Sequence, residues 1–386
     1  MNTKELDNEY VAHSYGRFDV VLNKGKGSTL YDENGKKYID FGSGIGVTAF
    51  GIADEEWKAA VKAQLDKLQH VSNLYYTEPC ARLAKLLCEK SGMKKVFFAN
   101  SGAEANEGAI KFARKYAFDK YGEGRSTIIT LKNSFHGRTI TTLAATGQDS
   151  FHTTFAPFTD GFKYCTANDI DELNAMAGND VCAIMFECVQ GEGGVNNLDY
   201  DFVKAIERLA KEKDILMVVD EVQTGNGRTG KYFAYQNFDI TPDIVSTAKG
   251  MAGGLPMGAV LFGEKTKDTM TAGTHGSTFG GNPICAAGAC SIVERIDDDF
   301  LDEVSKKSEY IKEYISNIKG VKSISGMGLM LGIETEKDSK EIANKCLKNG
   351  LLVLTAKTKL RLLPALNISK KELDEGLKIM KEVIEK

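Results

Sequence analysis

Continuous apolar runs recur through the middle of the chain, and a polar or glycine-rich loop follows each of them. The runs occupy residues 96–99, 127–131, 181–186, 215–219, 243–248 and 259–262. Strands with one solvent-exposed face would show alternating polar positions, whereas strands buried on both faces of a parallel sheet form unbroken apolar segments. The pattern therefore predicts an α/β fold in which helices cover both faces of a mainly parallel sheet.

Segments with a helical spacing of apolar residues lie between these runs and continue beyond them. They predict helices over residues 54–69, 77–92, 103–121, 199–213, 282–296, 302–317, 339–349 and 370–385. We expect the first of these helices to begin at Asp54 as its N-cap and to present Trp57, Val61, Leu65 and Leu68 on one face.

The pattern changes character near residue 282, where helices begin to alternate with short strands. Near the other end of the chain, residues 30–41 contain a polar, glycine-containing turn between two β-prone runs, which predicts a hairpin. Because the middle of the chain already makes a complete doubly wound unit, we expect residues 51–281 to form a large domain. Residues 1–50 and 282–386 are then expected to combine in a smaller α+β domain.

Composition narrows the class of protein. The 386 residues are enough for two domains, and 42% hydrophobic with 26% charged residues is ordinary for a globular protein. A net charge of −4 gives no general attraction to nucleic acid or to anionic membranes. The polar N-terminus and the lack of a long apolar run favour a cytoplasmic protein. The eight cysteines include no C-x-x-C pair, which argues against a disulfide framework or a metal site.

A lysine stands at the end of the apolar run 243–248, directly before a glycine-dense turn. The neighbours of Lys249 are small and apolar, so burial would disfavour the ammonium form and lower the pKa. A lysine of lowered pKa can form a Schiff base or move a proton near neutral pH. The alternative is a strand-end lysine whose amine reaches out to water.

Asp220 follows the apolar run 215–219. Ligands of open α/β sheets bind at the carboxyl ends of the strands. A buried aspartate is costly there unless it is paired with a positive group, and a protonated pyridine nitrogen would be such a partner. The alternative is that Asp220 caps the turn that follows it.

Two further loops at strand ends carry candidate binding groups. Ser101, Gly102 and Ala103 open a helix, and such small residues leave its first N–H groups accessible to a phosphate. The same segment also fits an ordinary capping box. In the second loop, Phe135 could stack on a flat ring and Arg138 could bind a carboxylate, or they could be one packed and one solvated side chain.

The segment GNGRTGK at residues 225–231 matches the spacing of two nucleotide-binding motifs, G-x-G-x-x-G and G-x-x-x-x-G-K. However, Tyr232 occupies the position where a P-loop has Ser or Thr for magnesium. No amphipathic helix follows directly, although both motifs require strand, glycine turn and helix in immediate order. The segment therefore does not indicate a nucleotide site.

With Lys249 and Asp220 in this order, the sequence resembles the class III aminotransferases from about residue 32 to residue 368. The most specific part is VVDEVQ at residues 218–223, followed by Pro242, Asp243 and Lys249. The resemblance implies the PLP-dependent transferase fold type I, with a mainly parallel seven-stranded sheet in the large domain. It also implies pyridoxal 5′-phosphate as the cofactor and no metal.

The same resemblance implies roles for individual residues. Lys249 would hold the cofactor covalently and later move a proton, while Asp220 would keep the pyridine nitrogen protonated. The other implied cofactor-binding positions are Ser101, Gly102 and Ala103 at the phosphate, Phe135 and Val222 on the ring faces, Gln223 at the ring hydroxyl, and Thr278 at the phosphate of the neighbouring subunit. The role of Thr278 implies a homodimer with shared active sites.

Two arginines and a glutamate are implied to bind the substrates, with Ser277 beside them. Arg138 would take the α-carboxylate of acetylornithine or the distal carboxylate of glutamate, and Arg361 the α-carboxylate of 2-oxoglutarate. Glu192 would neutralise Arg361 while an ω-amine substrate is bound. The implied activity is transfer of the δ-amino group of N2-acetyl-L-ornithine to 2-oxoglutarate in arginine biosynthesis.

Other functions remain open at this stage. Related ω-aminotransferases act on ornithine, succinylornithine, succinyldiaminopimelate or 4-aminobutyrate, although ornithine aminotransferases carry a tyrosine where this chain has Ile45. An aminomutase, a non-catalytic dimeric binding protein and a nicotinamide dehydrogenase are the rivals from other classes. A lysine-linked pyridoxal phosphate would make the purified protein yellow, which a dehydrogenase is not.

Overall fold

The computed structural model describes all residues from 1 to 386. Its helices are α1 (Thr3–Tyr10), α2 (Ser43–Gly46), α3 (Glu55–Leu65), α4 (Glu78–Ser91), α5 (Gly102–Tyr121), α6 (Ile140–Ala145), α7 (Ile170–Met176), α8 (Tyr200–Glu212), α9 (Pro283–Val293), α10 (Asp298–Ser316), α11 (Ser339–Lys348) and α12 (Lys370–Glu385). Its strands are β1 (Leu22–Lys26), β2 (Thr29–Asp32), β3 (Lys37–Asp40), β4 (Lys95–Ala99), β5 (Thr127–Leu131), β6 (Phe162–Cys165), β7 (Val181–Phe186), β8 (Val189–Gln190), β9 (Asn196–Asn197), β10 (Leu216–Asp220), β11 (Ile244–Thr247), β12 (Gly258–Phe262), β13 (Val321–Met327), β14 (Met330–Thr335), β15 (Leu351–Leu352), β16 (Leu354–Ala356) and β17 (Lys359–Leu362).

A seven-stranded sheet in the order β4-β12-β11-β10-β7-β5-β6 occupies the middle of the chain. Its central strands pair in parallel, and β12 runs antiparallel to both of its neighbours. Every residue of β7, β10 and β12 is buried, as continuous apolar runs require. The sheet confirms the predicted α/β fold with a mainly parallel seven-stranded sheet.

The structure differs from the predicted elements at several places, and two of these differences have a clear local cause. The edge strand β6 was not predicted, because its sequence FKYC is short, carries a lysine and is only half-buried over three of its four positions. The helix that Asp54 caps ends at Leu65 rather than at residue 69. The side-chain amide of Gln64 donates to the backbone carbonyl of Leu68, in the turn that follows the helix. Leu65 and Leu68 are exposed instead of buried.

The N-terminal hairpin and the C-terminal segment meet in one sheet. Strand β3 of the predicted hairpin pairs in parallel with β15, where Ile39 lies opposite Leu351. A second four-stranded sheet, β13-β14-β17-β16, lies entirely in the C-terminal part of the chain and is here called the C-terminal sheet. The exact division into residues 1–50, 51–281 and 282–386 remains a prediction.

Neighbouring parallel strands bring polar residues to one edge of the seven-stranded sheet. Asp220, at the end of β10, lies opposite Ser246 of β11, and Lys249 comes directly after that strand. The loops after β4 and β5 open onto the same edge. No helix of the protein is both long and apolar enough to cross a membrane.

Candidate active site

A cavity of about 400 Å³ lies at this carboxyl edge of the seven-stranded sheet. The predicted site residues that line it are Ser101, Gly102, Ala103, Phe135, Arg138, Asp220, Val222, Gln223 and Lys249. They come from loops far apart in sequence, and only the packing of the parallel strands brings them together. The cavity volume lies within the range of small-molecule and cofactor sites.

Lys249 lies in the wall of the cavity with its amine free. Its Nζ atom makes no hydrogen bond or ion pair within the protein, and the side chain lines the cavity. The burial of Lys249, and not the lack of a partner, argues against the alternative of an amine that reaches out to water. Burial lowers the pKa of Lys249, although the negative charge of Glu192 acts in the opposite direction. The backbone at Lys249 has φ +43°, a left-handed conformation that costs free energy for any residue with a side chain.

Asp220 is almost fully buried and is fully hydrogen-bonded at one oxygen. Its Oδ2 accepts from Asn106 Nδ2 at 2.7 Å and from His136 Nδ1 at 2.8 Å. Its Oδ1 accepts from the backbone N–H of Val222 at 2.9 Å, which is the turn-capping bond of the alternative interpretation. The carboxylate therefore both caps the turn and presents a fixed negative charge to the cavity.

Asn106 and His136 were not predicted as functional residues. Both lie within segments whose other members were singled out, but nothing in the sequence relates them to Asp220. Burial disfavours protonation of His136, but the hydrogen bond to Asp220 and the negative charges of Asp220 and Glu187 together outweigh it and raise the pKa above the ordinary value. His136 therefore presents a hydrogen-bond donor, and when protonated a positive charge, to the buried carboxylate of Asp220.

Glu187 is a third residue that sequence reasoning missed. It lies directly after β7, and its carboxylate accepts from the backbone N–H of Phe135 at 3.0 Å and from that of Gly191 at 3.3 Å. Burial raises its pKa to about 7. One carboxylate thus joins the loop of Phe135 to the loop that carries Glu192. A charged residue at the end of a buried strand was the available signal.

The N-terminus of α5 forms one end of the cavity. Ser101 is its N-cap and accepts from the N–H of Glu104 at 3.1 Å. The first N–H groups of a helix have no partners within it, so those of Gly102 and Ala103 are available to an anion. A Cβ atom on Gly102 would lie 2.6 Å from Val222 Cγ1, so only glycine permits the close approach of these two walls.

Arg138 is exposed at the mouth of the cavity. Its guanidinium carbon lies 4.5 Å from the ring centroid of Phe151 and 5.6 Å from that of Phe135. It makes no ion pair with any carboxylate of the chain. Two aromatic rings therefore hold a guanidinium whose donors remain available for a carboxylate from outside.

Arg361, in β17, forms a compact polar cluster with Glu192 and Gln223, here called the gate. Arg361 Nη1 donates to Glu192 Oε1 at 2.6 Å and to Gln223 Oε1 at 3.1 Å. Gln223 Nε2 in turn donates to Glu192 Oε1 at 3.4 Å. Burial opposes ionisation of Glu192, but Arg361 outweighs it and holds the pKa below the usual value. The Nε atom of Arg361 is buried without a partner.

Four predicted positions lie outside the cavity wall, namely Glu192 and Arg361 of the gate, and Ser277 and Thr278. Ser277 accepts from Asn100 Nδ2 at 3.0 Å, and Thr278 beside it is exposed. Neither residue lines the cavity of its own chain. Their predicted roles therefore depend on a second subunit, as the assignment of Thr278 already required.

The class III aminotransferase family model matches residues 10–384, nearly the whole chain. The chain is a class III aminotransferase. The acetylornithine aminotransferase of Haemophilus ducreyi is 54% identical to this aminotransferase over 384 residues, which is 99% of this chain and 98% of the relative.

Solved structures agree with this assignment. The N-acetylornithine aminotransferase of Stenotrophomonas maltophilia is 36% identical, with a TM-score of 0.85 over 98% of each chain. The ornithine aminotransferase of Toxoplasma gondii, which contains pyridoxal phosphate (PLP) at partial occupancy, is 30% identical, with a TM-score of 0.93 over 99% of this chain and 93% of its own. These likenesses confirm the PLP-dependent transferase fold type I.

Class III aminotransferases depend on pyridoxal 5′-phosphate, and the cavity fits this group in three respects. Lys249 lines the cavity with a free amine of lowered pKa, the group that would bind the cofactor's aldehyde. A buried carboxylate, Asp220, is available for a positive ring nitrogen. The open N–H groups at the start of α5, with Val222 packed directly against Gly102, suit a group that ends in a phosphate.

Proposed function

We propose that this aminotransferase transfers the δ-amino group of N2-acetyl-L-ornithine to 2-oxoglutarate, giving N-acetyl-L-glutamate 5-semialdehyde and L-glutamate in arginine biosynthesis. The identity of 54% to the acetylornithine aminotransferase of Haemophilus ducreyi supports this substrate. The geometric observation that carries the proposal is the gate, because one arginine at the site is neutralised while another, Arg138, is free.

The free and the neutralised arginine suit two unlike substrates. Acetylornithine carries its reacting amine far from its carboxylate, so it needs a cation at the mouth of the cavity, where Arg138 lies. Glutamate needs a second cation close to the reacting carbon for its α-carboxylate, and Arg361 can supply it once Glu192 moves away. Glu192 is 30% exposed on its side chain, whereas Arg361 is 4% exposed, so the carboxylate is the partner that can leave.

The residues around the reacting atoms have separate tasks in this proposal. Lys249 Nζ holds the cofactor and then accepts and returns the proton at the substrate carbon, which its lowered pKa permits. Asp220, fixed by Asn106 and His136, stabilises a positive charge at the far end of the cavity. When bound there, pyridoxal 5′-phosphate supplies the electron sink. Phe135 and Val222 enclose its ring and exclude water, while Ser101, Gly102 and Ala103 hold its phosphate.

Gln223 has a role that the gate modifies. Its assignment to the ring hydroxyl rests on the resemblance alone. In the structure both ends of its amide are engaged by Arg361 and Glu192. The proposed contact with the cofactor hydroxyl therefore shares Gln223 with the gate.

We also propose that the enzyme is a cytoplasmic homodimer with shared sites. Thr278 is exposed, and the neighbouring Phe279 is 59% exposed. Leu74 and Tyr75 are 85% and 71% exposed. Such contiguous apolar exposure is typical of a surface that a partner covers. All eight cysteines are free, which suits a reducing compartment. Sedimentation equilibrium of the holoenzyme would detect the dimer.

The substrate is tested by steady-state kinetics of the yellow holoenzyme with 2-oxoglutarate. Acetylornithine, succinylornithine, ornithine and 4-aminobutyrate serve as amino donors. We expect the highest kcat/KM with acetylornithine. A donor with a tenfold higher kcat/KM would replace it and favour a related ω-aminotransferase. Arg138→Met should lower kcat/KM for the carboxylate-bearing donors, while Arg208→Met, at an exposed position of α8, should leave it unchanged.

A further inference from the structure

The segment Gly225–Gly230, here called the glycine loop, is the part of the chain that matched nucleotide-binding motifs without their structural context. It connects the surroundings of Lys249 to the C-terminal sheet. Gly227 and Gly230 have φ +86° and +83°, so two left-handed turns shape it. Arg228, between these turns, is only 2% exposed.

The first half of the glycine loop holds the backbone in front of Lys249. Asn226 Nδ2 donates to Thr247 Oγ1 at 3.1 Å and to the carbonyl of Ala248 at 3.2 Å. Asn226 is itself buried. The left-handed backbone of Lys249 is therefore fixed from the side of the glycine loop.

The second half of the glycine loop holds the C-terminal sheet. Arg228 Nη1 donates to the carbonyl of Leu329 at 3.0 Å and to that of Pro364 at 2.6 Å. The N–H of Leu329 donates back to the carbonyl of Arg228 at 2.9 Å. A Cβ atom on Gly328 would lie 2.4 Å from that same carbonyl oxygen, so the two backbones are in direct contact.

Arg228 has no carboxylate partner. Burial alone lowers its pKa from the ordinary value. A buried guanidinium that bonds only to carbonyl groups is costly, and an apolar side chain of similar size would often be at least as stable. What this costly group does in the structure is to fix the positions of two carbonyl groups at the C-terminal sheet.

Both carbonyl groups lie just beyond the ends of two paired strands, β14 and β17, and β17 carries Arg361. Leu329 directly precedes β14, and Pro364 follows the end of β17 closely. In the C-terminal sheet these two strands pair, with Gly332 opposite Arg361. One guanidinium thus fixes the ends of the strand pair on which Arg361 lies.

We propose that Arg228 is a positioning residue that sets the place of Arg361 relative to Lys249, acting through the glycine loop. The inference rests on the proposed role of Arg361 as the site of the α-carboxylate. A misplacement of about 1 Å at a reacting centre can cost about a hundredfold in rate. Loosening this link should impair substrates that use Arg361 and largely spare those that use Arg138.

The experiment compares holoenzymes that carry Arg228→Met and Arg228→Lys. For glutamate, we expect Arg228→Met to lower the ratio of the single-turnover rate constant to Kd by about tenfold. This is the size of effect that one charge-assisted contact has. The value for acetylornithine should fall by less than about threefold. The dissociation constant of glutarate, an unreactive dicarboxylate, should rise by a factor similar to the loss measured with glutamate. Arg228→Lys keeps a hydrogen-bond donor, so its loss with glutamate should lie between those of wild type and Arg228→Met. If Arg228→Met does not fold, Arg228→Lys replaces it in the comparison of the two donors.

Arg114 supplies a matched control. It also donates to backbone carbonyls, those of Ser126 and Asp160, but at the far side of the seven-stranded sheet. Arg114→Met should lower the melting temperature without changing the ratio of the two donors. In an Arg361→Met background, Arg228→Met should add little further loss with glutamate.

Equal losses with both donors, or a full additional loss in the Arg361→Met background, would overturn the positioning role and leave a structural one. The proposed substrate fails separately, because wild-type enzyme that does not react with acetylornithine would refute it while the glutamate and glutarate measurements still test Arg228.

Discussion

Asp220 and Arg361 are both charged and almost fully buried, at 3% and 4% exposure, yet they are held differently. Three donors bond to Asp220, and all of them belong to the seven-stranded sheet or its helices and loops. Arg361 lies on another sheet, and its ion-pair partner Glu192 is the more exposed member of the pair. Its Nε atom has no partner.

The comparison distinguishes Asp220, a charge whose partners are fixed, from Arg361, a charge whose partner is proposed to change during the reaction. A network of short hydrogen bonds within one rigid sheet suits a carboxylate that must face the same ring nitrogen throughout the reaction. A cation with a departing partner and a spare donor suits a site that a substrate carboxylate enters and leaves. The floor of the cavity is therefore preorganised, whereas Arg361 and Glu192 have the arrangement that the proposed switch requires.

The largest expected effect is on the floor. Lys249→Ala should abolish turnover, because no other amine lines the cavity to hold the cofactor and move the proton. The fold should remain, since Lys249 makes no hydrogen bond in it, and cofactor should still bind through the phosphate end. Steady-state assay, the visible absorbance band and far-UV circular dichroism check the three statements. Turnover near the wild-type level would reject Lys249 as the catalytic residue.

Asp220→Asn should cost about a hundredfold or more in kcat, as the loss of one preorganised charge contact does. Asparagine keeps an oxygen for the N–H of Val222 but carries no charge for the ring nitrogen. Its amide nitrogen would face Asn106 Nδ2 and His136 Nδ1, which donate to Oδ2 of Asp220, so the melting temperature should fall. Asn106→Ala, which leaves the charge in place, should cost much less. A near-normal rate for Asp220→Asn would mean that the turn-capping bond is the whole role of this residue.

At the gate, Glu192→Ala should shift specificity rather than stop the reaction. An unpaired Arg361 in a buried site attracts any carboxylate, so acetylornithine should be drawn into the wrong orientation. We expect a shift of ten- to a hundredfold towards glutamate, roughly 1.4–2.8 kcal/mol. Single-turnover decay of the visible band with each donor measures it. Glu192→Asp, which keeps the charge, is the control, and equal slowing of both donors would contradict the switch.

The smallest effect concerns backbone strain on the floor. Lys249 has φ +43°, so Lys249→Gly should unfold at a higher temperature than Lys249→Ala. The expected difference in the free energy of unfolding is about 0.5–1 kcal/mol. Thermal unfolding of both variants without added cofactor tests this. Ala113→Gly in the interior of α5 is the reference and should destabilise instead. If glycine also destabilises at position 249, the left-handed backbone carries no strain.

Much of the fold could be predicted from local pattern. The strands β5 and β7 were predicted with their exact ends, because both are runs of apolar and β-prone residues between polar ones. Strand β6 escaped prediction because it pairs with a single neighbour at the edge and needs no apolar run. Leu65 and Leu68 follow the helical spacing of α3 but are exposed, since the helix ends before the spacing does.

The candidate site was predictable in part for the same reason. Lys249 and Asp220 stand out as charged residues at the ends of buried strands, where their cost calls for an explanation. Glu187 shows the same contrast, directly after the buried strand β7, but Asn106 and His136 carry none. Their importance lies in hydrogen bonds to groups distant in sequence, and no spacing rule relates them.

By itself the sequence determined the kinds of element, their order and the chemistry offered at the ends of two strands. Burial and periodicity are local properties, so the chain states them directly. Only the tertiary structure decided which polar groups meet: His136 with Asp220, Glu192 with Arg361, and Arg228 with two carbonyl groups of another sheet. Such pairings depend on how layers pack, and a hydrogen bond a few tenths of an ångström too long is no longer made.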